Sequence, residues 1–185
     1  GTHHAAPDRC AGYCVFNDAA IAARAMQSEA RVHRVLIVDC DVHQGDGTAL
    51  IFADDPSVFT FSIHGERNYP LRKPPSDLDI PLPDGTGDDD YLAALDRGLA
   101  QAIDRSRAEL ALDRAGADPY LADRFGRMSL TKPGLEARDR LVFDTLRRAG
   151  IPVAVSMAGG YSENIEDIVD IHFTTVRLTI ETALG

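Results

Sequence analysis

Short runs rich in β-branched and other apolar residues alternate along this chain with longer segments whose apolar residues recur every three or four positions. Residues 32–40 read as a buried strand, because Val35-Leu36-Ile37-Val38 is continuous and does not alternate. Residues 58–63 and 151–157 carry the same signature, and 109–113 is a weaker version of it. Residues 88–107 predict a helix, with Tyr91, Leu92, Leu95, Leu99 and Ile103 forming one apolar stripe. Strong helix formers over 19–26 follow the capping pair Asn17-Asp18. A short helix is expected over 47–52. Lys132-Pro133 opens another that stops at Gly150. A mostly helical tail follows Tyr161. Residues 67–87 are rich in proline, aspartate and glycine and read as one long loop, whose length suits the rim of a site.

Strands that alternate with helices imply an α/β fold, a three-layer sandwich with a mostly parallel central sheet. In such sheets ligands gather beyond the carboxyl ends of the strands. The 185 residues fit one domain, and 44% hydrophobic content is ordinary for a globular core. A net charge of −10 argues against direct nucleic-acid binding and is compatible with a cationic substrate. Three cysteines, Cys10, Cys14 and Cys40, give no disulfide framework and suggest a reducing, cytoplasmic setting. No apolar stretch is long enough to span a membrane.

The chemistry clusters at expected strand ends. Asp39-Cys40-Asp41-Val42-His43 follows the first strand, and its alternation puts the three polar side chains on one face. Two acids and an imidazole suit Zn²⁺, Fe²⁺ or Mn²⁺. A further carboxylate is needed, and the segment after the weak strand offers Asp118 and Asp123, which composition alone does not separate. His3 and His4 open the chain; alone they would equally suit a chain tail. As catalysts they need partners that set tautomer and basicity, and Asp39 and Asp46 are spare acids nearby. Gly159-Gly160-Tyr161 closes the last strand, where a tyrosine hydroxyl could donate to an oxyanion. Asp113-Arg114 places charge inside an expected strand, costly unless paired or solvated.

Five segments, in order, resemble the histone deacetylase superfamily: Gly1-Thr-His3-His4-Ala5, Gly12-Tyr13-Cys14-Val-Phe-Asn17-Asp18, Asp39 through Gly47, Ala115 through Thr131, and Gly159-Gly160-Tyr161. The family comprises zinc-dependent amidohydrolases of acyl-lysine and acylpolyamine with an arginase-like fold. The resemblance covers residues 1–185 as a partial domain. The abrupt start, without an initiator methionine, suggests that the amino-terminal part of the family domain is absent. The stretch from Ser62 to Pro83 is similar to that of bacterial deacetylases related to the class IV branch.

The resemblance implies a zinc ion, with Fe²⁺ as the alternative, held by Asp41, His43 and Asp123, leaving Asp118 to shape the loop. It implies His4 as general base and His3 as its electrostatic partner, oriented by Asp46 and Asp39 respectively. Tyr161 would polarise the carbonyl. K⁺ or Na⁺ would bind at Asp39, Asp41, His43, Ser62 and Ile63. Gly12, Tyr13, Tyr69 and Leu130 would wall the substrate channel. The implied substrate is an acylated lysine in protein or peptide, or an acylated polyamine or small amine, probed against the alternative of a noncatalytic acyl-ligand binding or scaffold protein. An arginase-like ureohydrolase would need a two-manganese site with more acidic ligands.

Overall fold

The computed structural model describes residues 1–184. Its centre is a five-stranded parallel sheet in the order β3-β2-β1-β4-β5. The strands are β1 (Val35–Asp39), β2 (Val58–Gly65), β3 (Leu78–Leu82), β4 (Leu110–Ala115) and β5 (Val153–Met157). The helices are α1 (Asp18–Ser28), α2 (Asp46–Phe52), α3 (Asp88–Ser106), α4 (Lys132–Arg148) and α5 (Ile165–Leu184).

Alternation along the central strand sorts the layers. Leu36 and Val38 join a core with Leu95 and Leu99 of α3, Phe143 of α4 and Leu178 of α5. Val35 and Ile37 face the other way, into a second core with Ala19, Ala20 and Ala23 of α1 and Phe52 of α2. Both faces of β1 are therefore covered, and this explains its unbroken apolar run.

Local signals set the helix starts. The Asn17 side chain accepts from the Ala20 N–H at the head of α1, and Thr131 accepts from the Gly134 N–H ahead of α4. Three aspartates, Asp88, Asp89 and Asp90, occupy the positive first turn of α3.

Part of the expected loop 67–87 is strand. β3 pairs with β2 from Phe61↔Leu78 to Gly65↔Leu82. Pro81 within it donates no ladder hydrogen bond, which is tolerable because β3 lies at the sheet edge. The weak strand is also longer than expected and carries Asp113 and Arg114 into the interior. Arg114 is fully buried on the α1 side, where its Nη1 donates to Asp18 at 2.6 Å. Asp113 points to the α4 side. Burial and the neighbouring Asp139 push its carboxyl up to about 8 against the pull of Arg138, so it is neutral at pH 7.

Asp113 thus binds a proton in the folded chain over a pH range in which the unfolded chain, with a carboxyl pKa of about 4, does not. Its contribution to stability falls as pH rises from about 4 to about 8 and is flat above that. Asp113→Asn removes this proton linkage. Melting temperatures of parent and variant, measured across that range, should diverge in favour of the variant as pH rises.

Candidate metal centre and active site

Three buried side chains converge beyond the carboxyl ends of β1 and β4. One potential ligand atom from each of Asp41, His43 and Asp118 lies within 4.8 Å of the others. His43 Nδ1 sits 3.0 Å from Asp41 Oδ1 and 3.1 Å from Asp118 Oδ2. The remaining carboxylate oxygens are held by main chain. Val42 N–H donates to Asp118 Oδ1 at 2.9 Å, and Gly159 N–H donates to Asp41 Oδ2 at 2.7 Å. Two carboxylates and an imidazole, each already oriented, form a donor set that fits a divalent cation.

Glycine is required around this cluster. A β-carbon at Gly116 would lie 2.8 Å from both Asp118 Oδ1 and the Asp41 Cα, and one at Gly159 would overlap the Asp118 carboxylate. Arg138 of α4, fully buried, donates through Nη1 to the Gly116 carbonyl. Its Nε donates to Asp139 at 2.8 Å, and Thr175 of α5 donates to the other oxygen of Asp139 at 2.5 Å. The loop carrying Asp118 is therefore tied to two helices behind the sheet.

Asp123, the ligand implied by the resemblance, is not one of these three. That carboxylate is occupied by main chain: Oδ1 accepts from the N–H groups of Phe125 and Gly126, each at 2.8 Å, and Oδ2 accepts from Tyr161 N–H at 2.6 Å. Asp41 and Asp118 accept main-chain bonds of the same kind, and such bonds leave carboxylate lone pairs for a cation, so Asp123 stands beside Asp118 as the second acid that could complete the ligand set. Asp41 comes two residues after β1 and Asp118 three after β4, whereas Asp123 comes eight after it.

The histidine pair is built in. His3 and His4 are 3% and 5% exposed. Thr48 N–H of α2 donates to the His3 carbonyl at 3.1 Å, and Asn17 Nδ2 donates to the Ala5 carbonyl at 3.2 Å. His3 Nδ1 lies 2.7 Å from Asp39 Oδ2, and His4 Nδ1 lies 2.6 Å from Asp46 Oδ1. With Nδ1–H given to a carboxylate, a neutral ring keeps its Nε2 lone pair. The two rings differ in charge preference. Burial disfavours charge on both; at His3 the charges of Asp39 and Asp41 outweigh it and raise the pKa. At His4 burial prevails, helped by the charge of His3, and the pKa is lowered.

A cavity of about 720 Å³ opens in front of this cluster, lined by His4, His43, Tyr161 and the aromatic rings of Tyr13, Tyr69 and Phe125. The Tyr69 ring stands edge-on to His4 at 4.9 Å, and Phe125 lies 4.9 Å from Tyr161. Gly12, at φ +52°, lets the chain approach His4, where a β-carbon would collide with the imidazole. Tyr13 itself adopts a left-handed φ of 63° and is 87% exposed. Burial and the negative charges of Asp41 and Asp118 push the Tyr161 phenol up to about 12, so it remains a donor. Leu130 does not line the cavity. The bridge it forms with Tyr120 turns it into the core, fully buried, and Phe125 provides wall in its stead. Phe125 could have been noticed as an aromatic beside a glycine in the ligand-bearing loop. Ser62 lies opposite Asp39 in the β1–β2 register, its hydroxyl 2.9 Å from His64 Nδ1, and Ile63 beside it is fully buried.

Residues 1–176 match the histone deacetylase domain. An uncharacterised protein of Picosynechococcus is 49% identical over 172 residues, covering 93% of this chain and 57% of that protein. The histone deacetylase-like amidohydrolase of Pseudomonas aeruginosa is 33% identical over 173 residues, covering 87% and 46% respectively. The crystal structure of an acetylpolyamine aminohydrolase from Burkholderia pseudomallei superposes with a TM-score of 0.81 at 28% identity, covering 94% of this chain and 52% of that one. The chain belongs to the histone deacetylase family, and its sheet and flanking helices are those of the arginase/deacetylase fold. It spans about half the length of these relatives.

Two outcomes test the centre. Asp118→Asn and Asp123→Asn decide which acid joins Asp41 and His43: loss of the ligand should weaken uptake of Zn²⁺ about 100-fold or more, and loss of the outer partner should keep the stoichiometry and cost about tenfold at most; equilibrium dialysis with metal analysis distinguishes them. In the metal-free protein burial opposes charge on His43, but the hydrogen bonds its ring donates to Asp118 and Asp41 outweigh it and push its pKa up to about 10. Metal must displace that proton, so affinity should tighten as pH rises from 6 towards about 10. Calorimetry in buffers of different ionisation enthalpy should show the proton released.

Proposed function

We propose that this protein is a metal-dependent amidohydrolase that removes an acyl group, acetyl above all, from an acylated lysine or related amine. The observation that carries this reading is the juxtaposition of a cation-ready Asp41-His43-Asp118 cluster with a neutral imidazole and a protonated phenol across one aromatic-walled cavity. Its relatives, a histone deacetylase-like amidohydrolase and an acetylpolyamine aminohydrolase, support the same bond class.

Zn²⁺, with Fe²⁺ as the alternative, suits the donor set and when bound would supply Lewis-acid polarisation of the amide carbonyl and activation of water. Around it the chain's own groups handle protons. His4 Nε2 accepts a proton from the attacking water while Asp46 steadies the resulting imidazolium through Nδ1. His3, its Nδ1 held by Asp39, stands beside His4 as its electrostatic and hydrogen-bonding partner. The Tyr161 hydroxyl donates to the carbonyl oxygen as it gains negative charge. The C–N bond then breaks, His4 returns the proton to the leaving amine, and a carboxylate and an amine depart. Tyr13, Tyr69 and Phe125 present apolar surface for the alkyl arm of the substrate. K⁺ or Na⁺ beside Asp39, Ser62 and Ile63 belongs to the same reading. So does a cytoplasmic setting, to which the three free thiols are suited. No helix among the described residues is long and apolar enough to cross a membrane.

His4→Ala and Tyr161→Phe should each lower kcat on an acetyl-lysine peptide by about 100-fold or more while metal stoichiometry is kept. Steady-state kinetics on the zinc-loaded protein, paired with metal analysis, reads this out. Undiminished turnover in either variant would remove that residue from the mechanism. Peptide binding without metal-dependent turnover in the parent would instead favour a noncatalytic acyl-ligand binding protein.

A further inference from the structure

The chain as a whole is acidic, with a net charge of −10, yet the mouth of its cavity is not. Three arginines, Arg67, Arg124 and Arg127, line it, and no aspartate or glutamate does. All three are exposed. They come from two loops that are joined to each other: Asn68 Nδ2, itself buried, donates to the Phe125 carbonyl at 2.7 Å. The positive charges are thus carried on one tied unit at the entrance.

Their existing partners leave most of that charge available. Among the described residues Arg67 has no acidic partner within ion-pair distance. Arg124 is used only through Nε, which donates to the Tyr161 carbonyl at 3.1 Å, and its guanidinium carbon stands 5.7 Å from the Phe125 ring. A neutral acceptor and an aromatic face leave its charge uncompensated. Arg127 alone has an acid, Asp84 at 3.2 Å, in an exposed pair of small net strength. Beneath the mouth, the carboxylates of Asp41 and Asp118 would be balanced by a divalent cation, so the arginines set the sign of the potential that an approaching substrate meets.

We propose that this rim selects acyl-lysine in an acidic context, with aspartate or glutamate flanking the modified residue, and disfavours polycationic acyl amines. The inference rests on the amidohydrolase reading above and narrows its substrate class. The acyl-lysine arm enters the aromatic walls while flanking carboxylates meet Arg67, Arg124 and Arg127; the bidentate fork of arginine suits a carboxylate. An acylated polyamine would bring like charge to the same place. The screening length of about 8 Å at physiological salt confines the effect to groups near the mouth, so it survives the acidity of the remaining surface.

Two measurements test it. The first is binding, by fluorescence anisotropy, of acetyl-lysine peptides flanked by glutamate, alanine or arginine to the zinc-loaded full chain carrying Tyr161→Phe. The second is kcat/KM of the zinc-loaded parent on the same peptides and on acetylspermidine. Glutamate-flanked peptide should bind more tightly than alanine-flanked peptide, and arginine-flanked peptide and acetylspermidine should be the poorest ligand and substrate. Arg67→Gln and Arg127→Gln should each reduce the glutamate-to-alanine preference by about two- to fivefold, the scale of one exposed ion pair, and the loss should shrink in 0.5 M salt, a concentration about three times the physiological value. Equal or reversed preference in the parent, or a preference unchanged in the double variant, overturns the proposal. Preferential binding of acidic peptides without turnover of any acyl amine would support the rim and overturn the amidohydrolase reading.

Discussion

Two carboxylates, Asp41 and Asp118, are buried within reach of one imidazole, and much of the surrounding architecture answers the electrostatic cost of placing them there. Like charges so close cannot both remain ionised without compensation. Compensation comes from His43, from main-chain N–H groups of Val42 and Gly159, and from the positions of the strand ends that aim those groups inward. The parallel sheet makes this affordable to build. It brings loops from β1, β4 and β5 to the same edge, where irregular backbone presents donors that a regular ladder would consume. Glycines at 116 and 159 follow from the same crowding.

The interior behind the site is polar too, and it is handled differently. Arg114 is paired: Asp18 meets its Nη1 and Asp39 lies 3.7 Å from its Nε. Arg138 keeps its charge through Asp139, and uses it to hold the Gly116 carbonyl. Asp113, with Oδ1 lacking a hydrogen-bond partner, is neutral instead. Burial is thus resolved residue by residue, by pairing where a counter-charge is in reach and by protonation where it is not.

Much of this was legible in the chain. A strand covered on both faces must be apolar at every position, so β1 stood out, and the chemistry beside it was found by proximity to its end. β3 was hidden because a half-exposed edge strand containing Pro81 lacks the composition of a buried one. Composition does not separate Asp118 from Asp123, and that Asp118 packs against Asp41 and His43 is a property of loop conformation that residue type does not encode. Leu130 and Phe125 were exchanged for a related reason. Which side chain faces a cavity depends on how the loop crosses itself, here through the Tyr120–Leu130 bridge. The three arginines at the entrance are scattered in sequence and belong to one patch only because Asn68 binds the Phe125 carbonyl.

Tyr13 sits at the entrance in a backbone geometry that suits glycine, with its ring almost wholly in solvent. The folded chain gains little packing from that ring, while the left-handed turn costs on the order of 1–3 kcal/mol for a bulky side chain. Selection for ruggedness alone would replace it. A tyrosine there makes sense when a guest covers the ring, which means that at this one position durability of the empty protein and grip on a visitor are in competition.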